Sequence, residues 1–453
     1  MSERIQYFST NKISPAVSFP EALLKGLAPD KGLYLPDSYP ALTADELTGM
    51  GDMNYAGIAT LVLGRFLQDS ISQEELRLLC HDAYNFDVPL QPVDERKYIM
   101  RLDQGPTASF KDFAARMMAR LMNNFLTRSR QHLLILTATS GDTGSAVANA
   151  FYGLDHIDVV VLYPQSEVTE VQRRQMTTLR KNIHVIALDG KFDDCQNLVK
   201  QAFVDPELQH LPLSSANSIN IGRLLPQSVF YFYAWSRLRN YPEERIVFAV
   251  PSGNFGNLMG GLIAKQMGLP VERFVIGTNE NKEVPDYLTN GTYKLIIPSI
   301  ACISSAMNVG HPSNMARIIA LYGGVMNEQG DILTEPDFAG MQKDLWATSV
   351  TDEETIQTMK DCWQKNQTLL EPHGSVAWTA LERYLEKNPG MELPAVALET
   401  AHPAKFPEEI NRVLGFNPAL PPSLAGLEGK QEEIYRLANN YAEFKRYLNT
   451  TFP

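Results

Sequence analysis

The chain has 453 residues, 44% hydrophobic and 20% charged, a composition that suits a globular protein with substantial cores and about three domains. Its formal net charge of -12 weighs against nucleic acid or an anionic membrane as the principal partner. Cys80, Cys195, Cys302 and Cys362 are too scattered for a disulfide framework or metal cluster, no leader-like segment opens the chain, and no apolar run is long enough to span a bilayer, so a cytoplasmic protein without a metal is expected.

Residues 1–95 read as a separate N-terminal unit. Turns dominate from Tyr7 to Pro36, and NYAGIATLVLGRFL and SQEELRLLCHDAY then carry the apolar spacing of helices. No chemistry is evident in this unit. Beyond it, short apolar runs alternate with helical stretches. HLLILTAT, IDVVVLYP, NIHVIALDG, ERIVFAV, RFVIG and PAVALET are the strands of an α/β fold with mostly parallel sheets. The first three lie within 133–188 and suggest a smaller lobe inside the larger one. Residues 281–390 mix helix, as in DEETIQTMKDCWQKN, with loops around NVGHPSNMAR and EPHGSVAW. GKQEEIYRLANNYAEFKRYLNT reads as a polar terminal helix.

Three local patterns carry chemistry. In DQGPTASFKDFAARMMARLM, a turn-forming segment feeds an apolar-striped helix at Lys111. A deprotonated lysine condenses with aldehydes and serves as a base, and burial favours the neutral amine. Phe110 and Phe113 would supply the apolar surround, and Asp112 would oppose it. In VPSGNFGN, Gly253 and Gly256 allow close backbone approach at the junction of a strand and a helix, where amides and the helix end bind anions. Ser252, Asn254 and Asn257 are candidate side-chain donors there. TATSGDTGSA is a second such turn, lined by Thr139, Ser140, Asp142, Thr143 and Ser145. Either turn alone reads as an ordinary strand-to-helix connection. Two anion sites and one amine together suit a phosphorylated aldehyde cofactor, such as pyridoxal phosphate, beside an anionic substrate.

The chain resembles the threonine synthases, pyridoxal-phosphate enzymes of the tryptophan-synthase-β type of fold. The resemblance rests on YFSTNKISPAVSFPEALLKGLAPDKGLYLP, SFKD, TATSGDTGSA, SANSINIGRLLPQ, PSGNFGN, GHPSNMAR and TAHPAKFP. It implies two open α/β lobes with an additional N-terminal helical or mixed domain. The expected division is 1–95, a large cofactor-binding domain of 96–132 and 216–425, a smaller mobile lobe of 133–215, and a C-terminal helix of 426–453. By the same resemblance Lys111 carries the cofactor, and Gly253, Asn254, Phe255, Gly256 and Asn257 cradle its phosphate. Thr400 offers a hydroxyl to the pyridine nitrogen. Ser140, Asp142 and Thr143 surround the substrate carboxylate and the ring, and Asn217, Ser218 and Arg223 the substrate phosphate, with Asn220 a further candidate. His311, His373 and His402 each neighbour a proline in a loop-like context and are not counted among the reacting groups. The implied reaction converts O-phospho-L-homoserine and water to L-threonine and phosphate. A related phospho-lyase, releasing a 2-oxo acid and ammonia from phosphohomoserine or phosphothreonine, is the alternative enzyme. A binding protein with a degenerate pocket is the non-enzymatic alternative. Monomer and homodimer are both open.

Overall fold

The computed structural model describes residues 4–452. Two sheets organise it. The larger has six strands, in the spatial order Leu345–Ser349, Val271–Thr278, Ile246–Pro251, Ala395–Glu399, Lys97–Arg101 and Leu90–Asp94. Every pairing in it is parallel except the last. The central strands Ile246–Pro251 and Ala395–Glu399 are buried along their whole length. That explains their unbroken apolar sequences, since helices cover both faces of a parallel sheet. The smaller sheet is fully parallel, in the order Tyr435–Ala438, Ile183–Asp189, Ile157–Pro164, Leu133–Ala138 and Leu213–Ser214.

One helix joins the sheets. Lys111–Ser129 leaves the large sheet after Lys97–Arg101 and delivers the chain to Leu133–Ala138 of the small one. Phe113, Met117, Met118, Leu121, Met122 and Phe125 face its core at helical spacing. The N-terminal unit supports it. A two-stranded antiparallel sheet pairs Tyr7–Ser9 with Tyr34–Pro36, and the helices Tyr55–Leu67 and Gln73–Ala83 follow. Phe113 packs at 5.2 Å from Tyr55, 5.0 Å from Phe86 and 5.9 Å from Phe230 between ring centroids. Its burial stabilises the fold by about 2–3 kcal/mol. Arg116, one turn along, donates from Nε to the Ala83 carbonyl at 2.7 Å.

Four local readings are corrected. Leu90–Asp94, which the 1–95 boundary assigns to the N-terminal unit, is the edge strand of the large sheet. Leu345–Ser349, within the indistinct 281–390 stretch, is the opposite edge strand. EPHGSVAW is not a loop but opens the helix Pro372–Lys387. Glu371 caps that helix by accepting from the His373 and Gly374 amides, and proline at the first position costs it no hydrogen bond. The terminal segment is not one helix: Tyr435–Ala438 is a strand beside Ile183–Asp189, and only Tyr441–Thr451 is helical. A free sheet edge offers this polar stretch a ladder of hydrogen bonds, and that outweighs its helical composition. No described helix is long and apolar enough to cross a membrane.

Candidate active site

The turn before Lys111 is clamped to the strand end that carries Thr400. The Phe110 amide donates to the Thr400 carbonyl at 2.8 Å, and the His402 amide to the Ala108 carbonyl at 3.0 Å. Ala108 takes a left-handed conformation at φ 54°, a strain of the kind that functional turns carry. Asp112 locks the same turn by accepting from the Thr107 amide at 2.9 Å and hydroxyl at 2.7 Å. Lys111 therefore opens its helix in a fixed position, with 14% of its side chain exposed.

Its surroundings differ from the expectation in two ways. Phe110 does lie beneath the amine, with Nζ 4.7 Å from the ring centroid. Phe113 points instead into the aromatic core beneath the helix. The anion that faces Lys111 is not Asp112 but Asp142, whose Oδ2 lies 3.6 Å from Nζ. Burial lowers the Lys111 pKa; Asp142 and Glu371 oppose that shift, and Lys405 and Arg223 reinforce it.

Asp142 opens the helix Asp142–Phe151. Burial alone would raise its pKa, but the Lys405 and Lys111 ammonium groups hold the carboxyl well below the usual range. Gln172 also donates to Asp142 Oδ1, at 2.9 Å. The preceding Gly141 has φ +127°, and a Cβ there would meet the Gln172 amide group at 2.4 Å. Thr139 Oγ1 accepts from the amides of Gly141 and Gly144 at 2.9 and 2.8 Å. Among the described residues, no protein group accepts from the amides of Ser140, Asp142 or Thr143.

VPSGNFGN forms a second cradle. Phe255 is left-handed at φ 60° and turns the chain into the helix Gly256–Gln266. Among the described residues, the amides of Gly253, Asn254, Phe255, Gly256 and Asn257 have no protein acceptor. Five consecutive unpaired amides at a helix N-terminus form an anion nest. The side chains of Ser252 and Asn257 serve the loop itself. Ser252 Oγ donates to the Val250 carbonyl at 3.3 Å, and Asn257 Nδ2 to the Pro251 carbonyl at 2.8 Å. Asn254 Oδ1 accepts from Ser313 Oγ at 3.4 Å.

SANSIN borders this loop, since a Cβ on Gly256 would lie 3.5 Å from Ser218 Cβ. Asn217 Oδ1 is buried without a partner. Arg223 is buried, donates from Nη1 to the Ala216 carbonyl at 2.6 Å, and leaves Nε unpaired. Burial brings its pKa down to about 10. Asn220 is a structural residue. Its Nδ2 bridges the carbonyls of Leu23 and Ser215, each at 2.9 Å, and its Oδ1 accepts from the Gly222 amide. Thr400 is 6% exposed, and its Oγ1 lies 3.5 Å from Glu371 Oε1.

Several residues here escaped the sequence reading. Lys405 is fully buried against Asp142 at 2.7 Å. Arg317 is fully buried and, among the described residues, has no carboxylate partner; it donates to the carbonyls of Tyr34, Ser218 and Ile219 at 3.0, 2.9 and 2.6 Å. Its only sequence signal is a lone cation in the apolar run MARIIA. Glu371 and His373 link the Thr400 side of the site to the Gly253–Asn257 loop. His373 Nδ1 bonds the Glu371 carboxylate, and its Nε2 accepts from the Ala306 amide at 3.1 Å. A Cβ on Gly253 would lie 3.0 Å from the Ala306 carbonyl oxygen. His402 Nδ1 caps a turn at the Ala404 amide, so both histidines have structural partners. Glu283 opens the helix Glu283–Asn290, which leads into the 291–313 segment covering the loop. It is 2% exposed, its Oε2 has no partner, and burial pushes its pKa up to about 7.

Residues 87–392 match the family described as pyridoxal-phosphate dependent enzyme. Residues 6–84 match the threonine synthase N terminus, and 374–448 the threonine synthase C-terminal family. A threonine synthase of Haemophilus influenzae is 39% identical over 437 residues, 95% of this chain and 96% of that one. The chain belongs to the threonine synthase family. It is a pyridoxal-phosphate-dependent lyase with two α/β lobes and an N-terminal helical domain. A pyridoxal-phosphate-bound threonine synthase from Brucella melitensis superposes with a TM-score of 0.91 at 34% identity, covering 98% of this chain and 99% of that one. The Escherichia coli threonine synthase gives 0.87 at 36% identity, covering 98% and 100%. The site fits the cofactor of this threonine synthase fold: a buried amine, a nest of five unpaired amides and a neutral hydroxyl are all present.

Proposed function

We propose that this chain converts O-phospho-L-homoserine and water to L-threonine and inorganic phosphate. The observation that carries the reading is the setting of Lys111, a largely enclosed amine whose pKa burial lowers, within a site that holds two helix N-termini with unpaired backbone amides. In our assignment Lys111 holds the cofactor, the amides of Gly253–Asn257 take its phosphate, and Thr400 offers its hydroxyl to the ring nitrogen. Bound there, pyridoxal phosphate supplies an electron sink for charge that develops beside the substrate amine.

The substrate carboxylate takes the amides of Ser140, Asp142 and Thr143, with the Ser140 and Thr143 hydroxyls beside them. The unpaired Arg223 Nε, with Asn217 and Ser218, binds the substrate phosphate and retains it once it has left the γ-carbon. Lys111 takes the proton at the α-carbon. Loss of a proton from the β-carbon lets phosphate leave the γ-carbon, protonation at the γ-carbon makes the methyl group, water adds at the β-carbon, and a proton returns to the α-carbon. We assign the mobile lobe to residues 133–215, which closes over the site and excludes stray water. Structures with and without a substrate analogue that superpose without movement of that lobe would refute the assignment. The net charge of -12 weighs against nucleic-acid or anionic-membrane partners, and we read the chain as a cytoplasmic enzyme, monomeric or homodimeric.

The test is incubation of the purified protein with O-phosphohomoserine, followed by assay of threonine and phosphate together. Equal release of both is expected. Phosphate with 2-oxobutanoate and ammonia would assign the chain to the phospho-lyases instead.

A further inference from the structure

Two lysine amino groups share one carboxylate in this site. Lys405 closes the turn Pro403–Lys405 with no exposed surface. Its Nζ lies 2.7 Å from Asp142 Oδ1 and donates to the Thr107 carbonyl at 2.8 Å. Gln172 Nε2 takes the same carboxylate oxygen at 2.9 Å. The other oxygen stands 3.6 Å from Lys111 Nζ, outside hydrogen-bond reach. The lysine that must react therefore has the looser contact, and the one with no assigned part in the chemistry has the tight one.

A fully buried ion pair is a poor stabilising device, because the lost hydration of both ions offsets their attraction. The position of Lys405 makes sense in relation to Lys111. Asp142 faces Lys111 at 3.6 Å, and the charges of Lys405, Arg223 and Glu371 also act on its amine, the two cations lowering its pKa and the two anions raising it. Asp112, next on its helix, is turned to Thr107. Two cations thus balance two anions around an amine that burial already disfavours as a cation. Without Lys405, one cation would face two anions, and the Asp142 carboxylate would be free to close on Lys111. An opposite charge at such range favours the ionised form by about 1–3 pKa units, and an ammonium ion neither attacks a carbonyl carbon nor accepts a proton.

We infer that Lys405 is a positioning residue: it engages Asp142 so that the carboxylate steers the Lys111 amine without holding it as an ammonium ion. The inference rests on Lys111 being the cofactor-bearing lysine of the proposed function. The pair also spans the two lobes, since Thr107 and Lys405 flank the large sheet and Asp142 opens a helix of the small one.

The experiment is a pH titration of the visible absorbance of the bound cofactor, which follows protonation of the nitrogen it shares with Lys111. The holoenzyme is compared with Lys405→Met, Lys405→Arg and Asp142→Asn. Lys405→Met should raise the midpoint by about one unit or more, Lys405→Arg should restore it, and Asp142→Asn should lower it. A folded, cofactor-bearing Lys405→Met with an unchanged or lowered midpoint overturns the inference. If Lys405→Met does not fold, Lys405→Gln, which keeps a donor but no charge, decides: a raised midpoint supports the inference, and an unchanged or lowered one overturns it. Borohydride reduction and peptide mass spectrometry of the wild type separate the two levels. Cofactor on another residue overturns the Lys111 assignment and this inference with it; cofactor on Lys111 with unmoved midpoints overturns the inference alone.

Discussion

A methyl group on Gly253 would push the proposed phosphate loop against the segment that covers it. A Cβ there falls 2.9 Å from Met307 Cα and 3.0 Å from the Ala306 carbonyl oxygen. Carbon atoms rest at about 3.5 Å or more, so loop or cover must retreat by roughly 0.5 Å. Both obstacles are backbone, and the cover is pinned, with the Ala306 amide on His373 Nε2 and the Met307 amide on the Ser304 carbonyl at 2.9 Å. Overpacking of this kind costs about 1–3 kcal/mol. If it fell wholly on cofactor binding, Gly253→Ala would weaken the dissociation constant for pyridoxal phosphate by roughly 5- to 150-fold. Gly256, three residues on, is the control. Its Cβ would meet Ser218 and Asn314 at 3.5 and 3.6 Å, ordinary contacts, at a helical position where alanine is favoured over glycine. Fluorescence titration of the cofactor-free proteins with pyridoxal phosphate, together with their thermal unfolding, measures both shares of the cost. We expect Gly253→Ala to lose affinity, stability or both, and Gly256→Ala to stay near wild type in stability. Wild-type behaviour of Gly253→Ala in both assays, or equal damage from the two substitutions, would refute the reasoning.

Lys111→Ala should abolish the borohydride-fixed cofactor adduct seen by mass spectrometry and lower turnover by about 100-fold or more; an adduct at wild-type yield would contradict the assignment. Arg223→Met removes a charged donor from the proposed phosphate site, and steady-state kinetics should show kcat/KM for phosphohomoserine falling roughly 10- to 150-fold. Little change would move the phosphate elsewhere. Glu283 gives a pH test. Its folded pKa of about 7 lies above the ordinary carboxyl value, so the folded state binds the extra proton between about pH 4.5 and 7 and loses stability as pH rises through that window. Glu283→Gln should match wild type near pH 4 and exceed it at pH 8 by up to about 3 kcal/mol in denaturant unfolding; a constant difference across pH would exclude this account.

Local patterns made part of the site legible in the sequence. The SFKD lysine and both glycine turns announce themselves because a turn, a strand end and a helix start are each specified by neighbouring residues. Their partners were not legible. Lys405 meets Asp142 across 263 positions, and Arg317 meets Tyr34 across 283. No periodicity relates residues so far apart; only the closed fold brings them together. Asp112 shows the opposite error, where closeness in sequence suggested a charge partner and the side chain turned back to cap its own loop. The fold shows the same division. Strands buried on both faces were plain from their apolar runs, whereas the edge strands Leu90–Asp94, Leu345–Ser349 and Tyr435–Ala438 carry mixed sequences that acquire their conformation from a neighbour.

The return of Tyr435–Ala438 to the small sheet means that the chain crosses between the lobes three times: through the lysine helix, again after Leu213–Ser214, and last along 415–434. A body tethered at two points swings about the line joining them. A third tether set off that line arrests the swing unless it has slack. The final tether has little slack: its regular structure is the single turn Pro422–Leu424, but Leu424 is buried beside Ala108 and Ala404, and Glu432 accepts from Arg173 and Thr177. In the lobe closure proposed above, the anchoring of that strap would therefore set how wide the cleft opens, and loosening it at Leu424 would lengthen the stroke.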